Sequence, residues 1–361
     1  YEIDGNNTMV YGQFNDVDVR SENRYDDWHT EFLHYSATLK YEPTDDLRID
    51  LLAGTSESNL EVKKQTTIIL ENFDSDGYSY DFRGNDQRPD IVYGFDTTNP
   101  ANWVVSEVRE RPSTNENTFD TFRMDVAYDL TDVWTMKTGM SWKKYGFDVA
   151  EARRDKTLPI ATASCNLPRQ TVTDADGRVI SNGQDRFFIA DVNAMADRIG
   201  LYTNDACFPL VTSVNDTRSV EEDDFGVHLQ LDFSTEVFGL PFRGDLGVRY
   251  VETEMASTGI QVIAGANVPV IAQRSYSDTL PAVNLVLEPF SDFLVRASYS
   301  QVMSRPNLGS LTPGGSINGF AVPPTVSFGN PYLDPFRADA YDLSFEWYYA
   351  RGALISLALF K

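Results

Sequence analysis

The feature that most constrains this chain is an alternation of apolar and polar residues with a period of two, which recurs along its 361 residues. One example runs from Phe225 to Phe233, where apolar residues alternate with polar ones such as Gln230. Successive side chains of a β-strand point to opposite faces, so this pattern predicts strands with one apolar and one polar face. Helical periodicity is nearly absent, and only residues 189–202 indicate a short helix.

The alternating segments and their connections predict an all-β fold. We expect about ten strands, at residues 27–41, 46–72, 103–130, 133–149, 220–235, 242–263, 268–288, 292–305, 336–349 and 353–361. Most connections are short, but three are long and polar, at about residues 73–102, 150–220 and 306–336. Short and long connections in alternation indicate an antiparallel meander with tight turns at one end and long loops at the other. This arrangement is typical of outer-membrane barrels.

A soluble β-sandwich would show the same alternation, so the positions of the aromatic residues are informative. Several of them flank the predicted tight turns, namely Tyr41, Tyr128, Trp134, Phe233, Phe293, Trp347 and Tyr349. Aromatic rings beside the tight turns favour a girdle at a membrane interface, with the ordinary enrichment of strands in aromatic residues as the alternative. The formal net charge of -24 would repel phosphates, which argues against a nucleic-acid partner.

A set of ordered motifs lies near the end of the chain. Leu-Pro-Ala-Val-Asn-Leu at 280–285 precedes Pro-Phe-Ser-Asp at 289–292, and Ser-Arg-Pro-Asn at 304–307 precedes Gly-Asn-Pro-Tyr-Leu-Asp-Pro at 329–335. In order and spacing, this region resembles the barrel signature of TonB-dependent outer-membrane receptors. The resemblance is specific over about residues 278–361. The remainder resembles the same family more diffusely, especially a subgroup of the Xanthomonas and Caulobacter type, many of whose members are thought to import oligosaccharides.

The resemblance implies an antiparallel meander that forms part of a 22-stranded transmembrane β-barrel. We expect residues 1–361 to be part of that barrel domain, without the family's plug domain and last strands, and residues 150–220 to be a long extracellular loop. The implied function is TonB-driven uptake of a nutrient, an oligosaccharide or else an iron-siderophore, across the outer membrane of a Gram-negative bacterium. The implied partners are TonB, which acts through the plug, the extracellular substrate, and the lipopolysaccharide of the membrane. No enzymatic activity and no cofactor are expected.

The candidate site residues form three groups. Aromatic rings in the long loops suit sugar recognition by stacking, with loop packing as the alternative; these are Tyr78, Tyr80, Trp103, Phe187, Phe188 and Phe320. Arg249, Asn284 and Arg296 are expected on the lumen face and are candidate plug contacts, with water-exposed lumen filling as the alternative. Cys165 and Cys207 lie in one polar region and predict a disulfide in an oxidising compartment, with two free thiols as the alternative.

The remaining motifs do not indicate a specific binding site. With two cysteines and three widely separated histidines, the chain does not predict a metal site. The acidic run at 221–224 is expected to be a solvated charge cluster, with cation binding as the alternative. Two other classes of function remain open: a secreted, soluble all-β carbohydrate-binding or adhesion module, and an all-β glycoside hydrolase. Detergent dependence would separate the first from a membrane barrel, and loss of activity on one carboxylate substitution would identify the second.

Overall fold

A computed structural model describes the chain apart from residues 86, 184, 215, 264–265, 319–322 and 324. The described residues are mainly β-strands that pair antiparallel, as the sequence predicts. They divide into two compact units. The first unit comprises residues 1–29, 61–114 and 151–213, and the second comprises residues 30–60, 115–150 and 214–361. No helix of the described residues is both long and apolar enough to cross a membrane.

The strands are numbered in chain order. They are β1 Glu2–Ile3, β2 Met9–Phe14, β3 Val17–Thr44, β4 Leu47–Ser75, β5 Tyr78–Asp81, β6 Asp90–Val92, β7 Val104–Glu110, β8 Ser113–Asp129, β9 Trp134–Arg153, β10 Lys156–Thr157, β11 Ile160–Ala161, β12 Asn166–Leu167, β13 Gln170–Thr171, β14 Gly177–Ser181, β15 Arg186–Ala190, β16 Val211–Thr212, β17 Arg218–Val237, β18 Leu240–Ile263, β19 Ala266–Phe290, β20 Phe293–Ser304, β21 Gly315–Asn318, β22 Thr325–Phe328, β23 Phe336–Ala350 and β24 Ala353–Phe360. The α-helix is α1, Val192–Ile199, and 3₁₀ turns span Pro100–Asn102, Asp174–Asp176 and Leu308–Leu311.

The long strands of the second unit form a meander. Strands β9, β17, β18, β19, β20, β23 and β24 pair antiparallel, each with the next. The turn between β17 and β18 places both Phe238 and Gly239 at positive φ, at 54° and 77°. Two consecutive residues at positive φ give a tight hairpin turn whose twist matches that of the flanking strands. The short connections predicted from the sequence are therefore hairpin turns.

The register gives the second unit's sheet two chemically distinct faces. His228 lies opposite Arg249, and Asp245 lies opposite Asn284, so these residues share one face. We call it the polar face; it carries Lys137, His228, Gln230, Asp232, Asp245, Arg249, Asn284 and Arg296. The intervening residues, such as Leu229 and Val248, lie on the apolar face. Leu229 is 52% exposed, so the apolar face of this strand is not covered by other parts of the unit.

The first unit has a hydrophobic core of its own. Ile68, Leu70, Val105 and Val108 of paired strands β4 and β7 pack with residues of helix α1. The helix begins at Asp191, whose side chain accepts a 3.0 Å hydrogen bond from the Ala194 amide. It ends at Gly200, whose left-handed φ of 71° closes the last turn. The short helix predicted within residues 189–202 is confirmed.

One strand prediction is wrong. Residues 103–130 were expected to form one strand, but the structure divides them into β7 and β8 at Arg111 and Pro112. Proline has no backbone donor for the ladder, so Pro112 weakens strand pairing at this position. Strand β7 instead pairs with residues 66–71 of β4. Pro112 is therefore a local sequence signal for the end of strand β7.

Candidate functional site

The polar face of the second unit carries the three residues predicted to line a lumen. Arg296 Nε donates to Glu346 Oε1 at 3.0 Å, and Asn284 Nδ2 donates to Asp245 Oδ1 at 2.9 Å. Arg249 reaches Ser141 Oγ at 3.4 Å. Asn284 and Arg296 line one cavity of about 550 Å³, and Arg249 lines another of about 350 Å³. Their place on one charged face is consistent with a lumen wall, and contact with a plug domain stays a prediction.

Aromatic residues gather on the apolar face, close to the tight turns. The rings of Trp134 and Phe233 have centroids 5.4 Å apart, and Phe233 lies 5.1 Å from Phe242. Phe290 and Phe293 stack at 4.6 Å on either side of the β19–β20 turn. Phe242 and Phe290 were not predicted to belong to this group. The cluster matches the girdle expected where strands meet a membrane interface.

The acidic run at 221–224 is not the solvated cluster that was expected. Glu222 is 3% exposed and Asp224 is 4% exposed, whereas Glu221 is exposed. Strand alternation is the reason, because the even-numbered residues point to the polar face, where other residues cover them. Asp224 accepts a 2.6 Å hydrogen bond from Thr253 Oγ1 and lies 2.7 Å from Arg305 Nη2. Two of the four carboxylates are thus part of a buried ionic network.

A four-stranded sheet of the first unit, in the order β1-β2-β5-β6, presents the loop aromatics. Phe14 lies opposite Tyr78, and Gly12 lies opposite Tyr80, so these residues share one face. We call Phe14, Tyr78, Tyr80 and Phe82 the aromatic row. The rings of Phe14 and Tyr80 stack at 5.9 Å, and Phe82 meets Tyr80 edge-on at 5.8 Å. Phe14 is 39% exposed, so part of the row is open to a ligand.

The opposite face of this sheet is charged. Arg83 donates to Asp81 and Glu2, and its guanidinium lies 4.4 Å from the centroid of the Tyr11 ring. Hydrogen bonds from the Arg83 side chain and backbone lower the pKa of Asp81 to about 2. Asp81 therefore stays ionised at any physiological pH and offers acceptor oxygens within the same strand as Tyr80.

The other aromatic candidates have different positions. Trp103 is 1% exposed; its ring meets Phe95 edge-on at 5.3 Å, and its indole nitrogen donates to the Thr97 carbonyl at 3.1 Å. Phe188 is 2% exposed in the same core, and Phe187 on strand β15 is half-buried. For Trp103 and Phe188, loop packing is the role in this structure, since a covered ring offers no face for stacking. Phe320 lies outside the described residues.

A disulfide joins Cys165 and Cys207 in the first unit, with their Cα atoms 5.0 Å apart. Both residues are buried in the core that also contains Leu201 and Phe208. The bond joins two positions that are 42 residues apart in the chain. It therefore restrains most of the segment between strands β11 and β16.

A buried glutamate of the first unit was not predicted. Glu110 accepts a hydrogen bond from Thr66 Oγ1, which lies 2.7 Å from the Tyr202 hydroxyl. Burial raises the pKa of Glu110, because a charged carboxylate is poorly solvated there. Burial also raises the pKa of the Tyr202 phenol.

Among the described residues, no group of three or more His, Cys, Asp and Glu is arranged to hold a metal ion.

The family of this chain follows from one comparison. Residues 63–361 match the family model described as "TonB dependent receptor-like, beta-barrel". The chain belongs to the TonB-dependent receptor family. Members of the family are receptors and transporters of the Gram-negative outer membrane, and that is the location of this receptor chain. Its meander is accordingly a segment of barrel wall, as the sequence predicts.

Solved structures resemble the receptor chain only distantly. The siderophore receptor PiuA from Acinetobacter baumannii is 13% identical with a TM-score of 0.47, and the match covers 93% of this chain and 40% of PiuA. The ferric-catecholate import receptor Fiu from E. coli K12 is 9% identical with a TM-score of 0.34, covering 97% of this chain and 58% of Fiu. No curated protein matches the chain. The receptor chain thus spans about half the length of these structures.

Proposed function

We propose that this chain is part of a receptor that takes up an oligosaccharide across the outer membrane, driven by TonB. The long loops at about residues 73–102 and 150–220 lie outside the cell and capture the substrate. The second unit forms barrel wall, with its apolar face toward lipid and its polar face toward the lumen. Arg249, Asn284 and Arg296 face a plug domain, through which TonB acts. No covalent chemistry is required, so the receptor is not an enzyme.

The observation that carries the choice of substrate is the aromatic row. The C–H groups on one face of a sugar ring pack against an aromatic ring, while the hydroxyl groups at the edge of the sugar ring form hydrogen bonds with charged and amide groups. Tyr80 and the exposed Phe14 supply stacked rings on one face of the sheet, whereas Asp81 lies on the opposite face with Arg83. The resemblance to the Xanthomonas and Caulobacter type of receptor supports the same choice.

The charged positions at the outer end of strand β17 suit contact with a second partner, the lipopolysaccharide of the outer membrane. Glu221 and Asp223 lie on the apolar side of β17, beyond the aliphatic residues Val227, Leu229 and Leu231, with Lys144 3.4 Å from Glu221. Such charged positions above the lipid band suit the phosphate and divalent-ion layer of lipopolysaccharide. The soluble secreted module, the alternative that the sequence left open, does not agree with membership of a barrel family.

The test uses the full-length receptor, purified in detergent and also expressed in intact cells. Isothermal titration with maltohexaose, xylohexaose and cellohexaose should show binding of at least one sugar. Tyr80→Ala should weaken that binding about 10-fold, and Tyr128→Ala on the apolar face should not. Uptake in cells should stop when an uncoupler removes the proton gradient. If the receptor binds a ferric siderophore and no sugar, the proposed oligosaccharide substrate is wrong, and the assignment as a receptor still holds.

A further inference from the structure

A segment after strand β20 lies across the polar face of the second unit. We call residues 305–314 the strap. Leu311 of the strap is buried against Val220 and Met255 of strands β17 and β18. Gln261 Nε2 donates to the Pro313 carbonyl at 2.9 Å, and a Cβ on Gly259 would stand 2.5 Å from the Gly314 nitrogen. The strap is therefore held by apolar packing, a hydrogen bond and close backbone contact.

Arg305, at the start of the strap, lies between two buried carboxylates. Its Nη2 is 2.7 Å from Asp224 Oδ1, whereas its Nε is 3.5 Å from Glu222 Oε1. In the described part of the chain, Arg305 Nε has no hydrogen-bond partner, and neither does Asp224 Oδ2. Buried polar atoms are normally paired, because an unpaired one loses its bonds to water without compensation. The ionic network around Arg305 is thus incompletely paired.

A cavity of about 490 Å³ lies beneath the first residues of the strap, and Glu222 and Arg305 form part of its lining. Glu222 and Arg305 supply charge, and Asn117 supplies an amide. Tyr145 and Phe147 supply the apolar part of the lining, and the Tyr145 ring lies 4.8 Å from that of Phe119. The lining therefore combines an aromatic wall with a hydrogen-bonding edge.

We propose that this cavity is a binding subsite for an uncharged sugar ring, a step that rests on the oligosaccharide function proposed above. A hydroxyl group can donate a hydrogen bond to the Glu222 carboxylate and accept one from the Asn117 amide, since both residues line the cavity. An anionic group would meet the Arg305 guanidinium but be repelled by Glu222 and Asp224. The apolar face of the sugar ring would pack against the ring of Tyr145.

The test is titration of the full-length receptor in detergent with the same neutral hexasaccharides, and with hexagalacturonate as an anionic comparison. Tyr145→Ala should weaken neutral-sugar binding about 10-fold, and Tyr145→Phe should restore it, since stacking needs only the ring. Glu222→Gln should weaken it about 10-fold, because a charge-assisted hydrogen bond is lost. It should also reduce discrimination against hexagalacturonate. Tyr128→Ala is the control.

The outcomes separate this subsite from the function on which it rests. If Tyr80→Ala weakens binding while Tyr145→Ala and Glu222→Gln bind like wild type, the subsite is overturned and the oligosaccharide function stands. If the wild-type receptor binds no neutral sugar, both are overturned. If Tyr145→Ala does not fold, Glu222→Gln decides: unchanged affinity and unchanged discrimination against hexagalacturonate overturn the subsite.

Discussion

The ring of Phe14 lies over Gly12, so that a Cβ added to Gly12 would stand 2.6 Å from Phe14 Cε2. Gly12 lies opposite Tyr80, and the absence of a side chain gives the Phe14 ring room to stack there. Gly12→Ala should therefore turn the Phe14 ring away and weaken oligosaccharide binding about 10-fold, measured by titration calorimetry. Gly5→Ala is the matched control, because nothing lies within 4 Å of a Cβ there. Equal effects of the two substitutions would contradict a role for the aromatic row.

The two faces of strand β17 predict opposite tolerance of charge. Leu229 lies on the apolar face, and its neighbour Gln230 lies on the polar face, where it donates to Asp232 at 2.7 Å. Leu229→Arg should lower the free energy of unfolding in a bilayer by about 2–4 kcal/mol if it lies near the midplane. Gln230→Arg should cost much less. Urea unfolding from lipid vesicles measures both, and similar losses would refute the assignment of the faces.

The disulfide should stabilise the first unit. Cys207→Ser should lower its free energy of unfolding by about 2–4 kcal/mol, since the unfolded chain gains freedom when the bond is removed. The double variant Cys165→Ser/Cys207→Ser should be no less stable than the single one, because one substitution already breaks the bond. Thermal unfolding measures the loss, and peptide mapping without reductant should find the two cysteines linked. Unlinked peptides would remove the disulfide from the account.

Glu110 predicts a pH-dependent stability of the first unit. Burial raises its pKa in the folded protein above the unfolded value. The folded state then binds a proton more tightly than the unfolded state, so stability is lost as pH rises through the folded pKa. Glu110→Gln imitates the protonated form and accepts the same bond from Thr66, so it should raise the melting temperature by a few degrees at pH 8 and not at pH 4. Exposed Glu61→Gln should change it at neither pH; an equal gain for both variants would exclude burial as the cause.

The strands of the barrel wall could be predicted from the sequence because their signal is local. Apolar and polar residues alternate from Phe225 to Phe233, and the structure places them on opposite faces of β17. Tyr78, Tyr80 and Phe82 alternate with polar residues in the same way, within a segment expected to be a long loop. Strand β5 could therefore have been predicted too.

The buried parts of the site could not be predicted, because they depend on contacts between distant residues. From the sequence alone, Glu222 is one of four adjacent acidic residues and is expected to be solvated. In the structure it is covered by Arg305, which lies more than eighty residues later in the chain. Trp103 reads as a loop aromatic that could stack on a ligand, and only the packing of Phe95 and helix α1 shows it to be core. A periodic pattern specifies which face a residue occupies, but not what lies over that face.

The most direct test of the account is cysteine-accessibility labelling of the full-length receptor in intact cells. Single cysteines would replace each residue from Phe225 to Phe233 in turn, in a background where Cys165 and Cys207 are retained as a disulfide. A further cysteine at Arg178, in the first unit, serves as the extracellular control. We predict labelling by a water-soluble maleimide at alternate positions along the strand, on the polar face only, and strong labelling at Arg178. Uniform labelling along β17, or a receptor that stays soluble without detergent, would contradict the membrane barrel.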